Sequence, residues 1–91
     1  MLRTLTSEQK AELVEELGSL EHEQWAHWMH YLLSVITPEI RKCFGDNLIG
    51  WERQMMTHYS HLSEKEKESD RVWARKVLQK IEELNMEILT K

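Results

Sequence analysis

The sequence predicts an all-α protein, a small bundle of three to four helices with a long C-terminal helix. Two observations carry that expectation. Three Gly and one Pro in 91 residues are too few for the many turns of an all-β sandwich, while Leu, Glu, Lys, Met and Gln, all good helix formers, are abundant. Apolar residues also recur at three- and four-residue intervals over most of the chain. With 41% hydrophobic and 31% charged residues, the chain has the balance of one that folds in water, and its length admits one core and one domain, residues 1–91.

Thr6 and Gln9 have the spacing of a capping box, Leu13, Val14 and Leu17 follow at helical intervals, and Gly18 supplies a stop, so the first helix is expected over about 7–17. Its apolar stripe is narrow and its other faces acidic, which describes a peripheral helix. Ser19 starts a second helix, 19–36, in which Trp25, Trp28, Met29, Leu32, Val35 and Ile36 give the broadest core face of the chain. Thr37-Pro38-Glu39 is a corner, because Pro cannot continue the preceding turn yet suits the first position of a new helix capped by Thr37.

A third helix is expected over 38–56 from Ile40, Phe44, Leu48, Trp51 and Met55. Gly45 and Gly50 each cost up to about 1 kcal/mol in a helix interior, and Phe44-Gly45-Asp46-Asn47 is an alternative turn that would divide the segment. Thr57 to Leu62 has no period and reads as a loop. Ser63 and Glu66 form a second capping box, after which no Gly or Pro interrupts a helix over 64–89, about 39 Å long. Val72, Trp73, Val77 and Leu78 are assigned to the core, and Ala74, Val77, Ile81, Leu84 and Ile88 repeat like a coiled-coil seam. The charged run Glu64 to Arg71 reads as a solvated helix start.

The formal net charge of −4 arises entirely within residues 1–37, and the remainder is neutral with Lys and Arg interleaved among acids. Nucleic-acid binding, which needs a concentrated basic face, is therefore not expected. Cys43 stands alone, so an intrachain disulfide and a thiolate metal cluster are excluded, and a small half-buried cysteine in a reducing, cytoplasmic setting is the simplest expectation. No signal-peptide h-region and no apolar run of spanning length is present, so membrane insertion is not expected.

His22 and His27 are five apart rather than four, about 140° around a helix, and cannot grip one zinc ion as a His-Glu-x-x-His motif does. Glu23, His27 and His30 fall at i, i+4 and i+7 and could offer three ligands, but lie opposite Trp25, Met29 and Leu32, as a hydrated face would; no metal or other cofactor is assigned. No activated nucleophile, paired catalytic carboxylates or phosphate loop is evident, and the chain is expected not to be an enzyme. Four tryptophans, Trp25, Trp28, Trp51 and Trp73, are expected to pack the core.

Two stretches carry a resemblance. The run from Tyr59-Ser60-His61-Leu62 through Asp70-Arg71-Val72-Trp73 to Leu78 resembles a segment of small phage and prophage proteins. It is also similar to the tail of the ryanodine-receptor-type (RyR) domain, with a tyrosine, a leucine three on, acids, a lysine and an Asp-Arg pair. His22-Glu23-Gln24-Trp25-Ala26 looks like the His-Glu-x-Trp-Ala element opening that domain's first helix. The chain departs from the pattern in having His58 before Tyr59, where proline is usual, and in lacking a Gly-Trp-x-Tyr-Gly element. The RyR resemblance implies a noncatalytic binding module with a nucleotide pocket, placing His22, Glu23, Trp25, Tyr59 and Arg71 as ligand-binding residues; the phage resemblance implies a small accessory protein.

The leading expectation is a cytoplasmic, noncatalytic accessory protein that binds protein, itself included, as a homodimer. Val77, Ile81, Leu84, Ile88 and Leu89 form the expected interface, since they extend past what the second and third helices can cover. A monomer results instead if the first helix folds back and covers them with Leu13, Val14 and Leu17.

Overall fold

The computed structural model describes residues 5–90, with side chains as far as Asn85. The chain forms α1 (Ser7–Val35), α2 (Pro38–Phe44), α3 (Asn47–Met55), a 3-10 turn (Tyr59–His61) and the long α4 (Glu64–Thr90), with no strand among the described residues. It is a small all-α bundle.

The caps are where the sequence puts them. Thr6 accepts from the Gln9 amide at 3.1 Å while Gln9 reaches back to the Thr6 amide at 3.0 Å, and Ser63 and Glu66 make the same reciprocal pair at 3.2 and 3.0 Å. Thr37 caps α2 by accepting from the Ile40 amide, with Pro38 in the first turn.

Two boundaries differ from expectation. Gly18 does not stop a helix: residues 7–17 and 19–36 merge into one continuous α1. A helix stop at glycine depends on the left-handed conformation, and the only positive φ among the described residues is at Gly45, at 57°. Gly45 divides the expected 38–56 helix into α2 and α3, so the alternative turn at Phe44–Asn47 is the one that forms.

α1 and α4 run antiparallel, tied by Lys10 to Glu82 at 3.2 Å near one end and by the approach of His22 to Asp70 farther along. α3 and the 3-10 turn pack on α1, and α2 packs on α3. The molecule measures 55 × 27 × 15 Å, little thicker than one helix with its side chains. A layer so thin has little interior. Met29, Leu48, Tyr59, Leu62, Ala74 and Leu78 are its buried apolar residues, joined by Gly18 and His22.

The tryptophan expectation is corrected accordingly. Trp28 and Trp73 are 60% and 57% exposed, and Trp25 and Trp51 are half-buried, because a single layer covers only one flank of each helix. Val72 and Val77 are exposed for the same reason, and only Leu78 of that set is in the core. Cys43 is exposed, not half-buried, its thiol facing the Glu39 carbonyl one turn back. Among the described residues, no helix is long and apolar enough to cross a membrane.

Candidate functional site

The residues with the most specific geometry gather where the 3-10 turn meets α1 and α4. The turn is set by His58, whose Nδ1 accepts from the Ser60 amide at 3.2 Å, and closed by the Leu62 amide donating to the Tyr59 carbonyl. This segment, expected to be a loop, drives Tyr59 and Leu62 into the core.

The Tyr59 ring lies against Gly18. A Cβ at that position would stand 2.9 Å from the phenol oxygen and 3.3 Å from the ring carbon bearing it, so glycine is what lets the ring approach the α1 backbone. The phenol donates to Glu15 Oε2 at 3.0 Å; Glu15 Oε1 accepts from Arg71 Nε at 2.6 Å, and Arg71 Nη1 donates to Glu64 at 2.9 Å. Lys67 stands over the Tyr59 ring with its ammonium 5.7 Å from the centroid. Arg75 forks onto Glu68 through two bonds, at 2.6 and 3.2 Å.

The electrostatics follow from these contacts. The Arg71 hydrogen bond holds the Glu15 carboxyl below its usual range, against the opposing effect of burial. Burial, then the bond to anionic Glu15, pushes the Tyr59 phenol up and keeps it a neutral donor. Arg71 is held more firmly charged by Glu15 and Glu64.

His22 is 6% exposed and sits beside this network. Its Nε2 lies 2.7 Å from the Thr57 carbonyl, which can only accept, so Nε2 carries a proton and Nδ1 faces Asp70 Oδ2 at 3.8 Å. Burial pushes the Asp70 carboxyl above its usual range, with His22 opposing the shift. The ring also stacks on Trp25, centroids 5.9 Å apart.

Of the five residues the RyR resemblance implies, His22, Trp25 and Tyr59 are neighbours, and Arg71 joins Tyr59 through Glu15. Glu23 is exposed at the rim of a cavity of about 420 Å³ lined by Ser19, His22, Met55, His58 and Tyr59. Trp25 and Arg71 do not line it. Sequence reasoning missed Glu15, Gly18 and Asp70. Glu15, Gly18 and His22 fall at i, i+3 and i+7, a single face that becomes legible only once α1 is read through Gly18.

Of the expected interface, Val77 and Leu84 are exposed and Ile81 is half-buried; Ile88 and Leu89 lie outside the described side chains. α1 does lie along α4, with Leu13, Val14 and Leu17 half-buried, but leaves Val77 and Leu84 open. Glu23, His27 and His30 are exposed, and among the described residues no three His, Cys, Asp or Glu side chains are grouped to hold a metal ion.

What the arrangement does chemically is hold itself together. Every charged group in the Tyr59 network has a partner, and among the described residues no buried side-chain nitrogen or oxygen lacks one. Comparison of the chain with protein-family models, with curated proteins and with solved structures found no match.

Proposed function

We propose that this is a noncatalytic accessory protein of phage or prophage type, cytoplasmic, that works by binding protein and is itself a homodimer. The observation that carries the reading is surface left uncovered. A compact protein of 11.0 kDa exposes roughly 5,600 Å², whereas this chain exposes 7265 Å². Its radius of gyration is 17.1 Å, against about 12 Å for a compact domain of this length. Large apolar side chains stand open in that surface, among them Leu20, Trp28, Tyr31, Val35, Trp73 and Leu84. Apolar surface of that extent is usually covered by a partner.

Light scattering across a concentration series tests this. The expected mass is twice 11.0 kDa at the upper concentrations, and a particle of 11.0 kDa throughout would remove the dimer.

A second reading, a RyR-like nucleotide-binding module, is favoured by the cavity that His22, Glu23 and Tyr59 share. Against it, Arg71 is engaged by Glu15 and Glu64, leaving a phosphate to compete with two carboxylates. A melting-temperature rise with millimolar nucleotide would favour this reading, and no shift would leave it without support.

A further inference from the structure

The outer side of α1 has an internal symmetry. Leu13, Leu17, Leu20, Gln24, Trp28, Tyr31 and Val35 are spaced four, three, four, four, three and four residues apart, the same forward and backward, with Gln24 at the centre. At 100° per residue all seven fall within an arc of about 80°. From Leu20 onward the stripe lies away from the Gly18–His22 face that meets the rest of the protomer. Leu13 and Leu17 are half-buried; Leu20, Trp28, Tyr31 and Val35 are between 57% and 60% exposed, and Gln24 is exposed with them. An eleven-residue repeat of this kind stays close to the natural twist of an α-helix, so the stripe runs nearly straight and can be matched over its whole length.

We infer that the occupant of this stripe is α1 of a second copy, laid antiparallel across a two-fold axis at Gln24. The inference rests on the homodimer proposed above and assigns its axis. The axis sets Leu20 against the copy's Trp28 and Leu17 against its Tyr31, an aliphatic against an aromatic in each case, and Leu13 against its Val35. The two Gln24 amides meet at the axis, where each offers a donor and an acceptor to the other, and a lone polar residue in an apolar seam fixes the register.

The flank agrees. Glu16 and Glu23 lie on one edge of the stripe in its first half, and His27 and His30 on the same edge in its second half, all exposed. The two-fold brings Glu16 beside the copy's His30, carboxylate against imidazole, while Glu23, one residue from the axis, stands level with the copy's His27 and with the copy's own Glu23. This gives Glu16 and His30 a partner across the two chains.

Each protomer exposes about 1,700 Å² more than a compact chain of its mass, and Leu20, Trp28, Tyr31 and Val35 of the stripe are among its exposed large apolar residues.

Disulfide trapping tests the axis. In a Cys43→Ser background, which removes the one native thiol, Gln24→Cys places two thiols across the axis, and Lys65→Cys, exposed on α4, serves as the control. The expected result is a cross-linked dimer forming at least tenfold faster at position 24 than at 65, and a Trp28→Glu variant that stays folded by circular dichroism but loses the doubled mass. Equal cross-linking rates with a doubled mass would overturn the axis and leave the dimer standing; Val77→Cys outpacing Gln24→Cys would place the axis on α4. A mass of 11.0 kDa in the unsubstituted protein would overturn the dimer and the axis together.

Discussion

Along α1, the side that meets α4 and the 3-10 turn carries a glycine, a histidine and a glutamate, each with a defined partner, while the opposite side carries Leu20, Trp28, Tyr31 and Val35, which stay open within the described residues. In most small domains the large apolar residues face inward and the polar ones outward. Here one helix separates two kinds of surface. Its inner side fixes one arrangement of the chain through a few close polar contacts, and its outer side leaves apolar surface open, the surface proposed above as the contact with a second copy. Substitutions on the two sides should therefore fail differently: inner ones by loss of folding, outer ones by loss of association.

The largest expected difference is between Tyr59→Ala and Trp28→Ala. Removing the buried Tyr59 ring leaves Gly18 without its cover and Glu15 without one donor, and should lower unfolding free energy by about 3 to 5 kcal/mol, enough to abolish much of the fold of so small a domain. Trp28→Ala should leave the circular-dichroism spectrum unchanged and reduce association. Chemical denaturation of both variants at one low concentration checks this, and equal losses would erase the distinction between the two sides.

Glycines sharpen the same contrast. Gly18→Ala should destabilise by about 1 to 3 kcal/mol in spite of alanine's better helix propensity, because the added methyl meets a phenol held in place by Glu15. Gly50→Ala in α3 meets nothing within 4 Å and should stabilise by about 0.4 to 1 kcal/mol. Opposite signs at two helical glycines would show that the Tyr59 contact, not helix propensity, dictates the residue at 18.

The smallest expected effect is on pH. Glu15 and Glu66 are held below the ordinary value of 4.5, Glu15 first by Arg71 and Glu66 first by the Ser63 amide. A carboxylate held low in the folded state resists protonation there, so its stabilisation is complete above about pH 4.5 and is lost as pH falls through the folded value. Asp70, pushed up by burial, has the opposite sign: its protonation on acidification relieves a burial cost. With the lowered groups in the majority, the melting temperature should fall below about pH 4.5, and Arg71→Met should flatten that fall by removing the main cause of the Glu15 shift.

Much of the fold was legible in the sequence because caps and periodicity are local. Thr6, Thr37 and Ser63 each start a helix through side-chain to backbone bonds spanning three residues, which need nothing distant to be recognised. Gly18 misled because its function is tertiary: it is a seat for a ring 41 positions away in the chain, and a glycine looks the same whether it ends a helix or makes room on one. The tryptophans misled because helical spacing reports that residues share a face and says nothing about whether that face is covered. Of the candidate site, His22, Trp25, Tyr59 and Arg71 were named from a resemblance, but the carboxylate that joins Tyr59 to Arg71 is one acid among many on an acidic helix. Nothing local distinguishes Glu15 from Glu16 until α4 is set beside them.

The most direct test of the division between the two sides of α1 is the concentration dependence of the melting temperature for the unsubstituted protein and for Trp28→Glu. If the open face is closed by a second copy, the first should melt higher as concentration rises and the second should not. A melting temperature that stays constant over a hundredfold range in the unsubstituted protein would contradict the account.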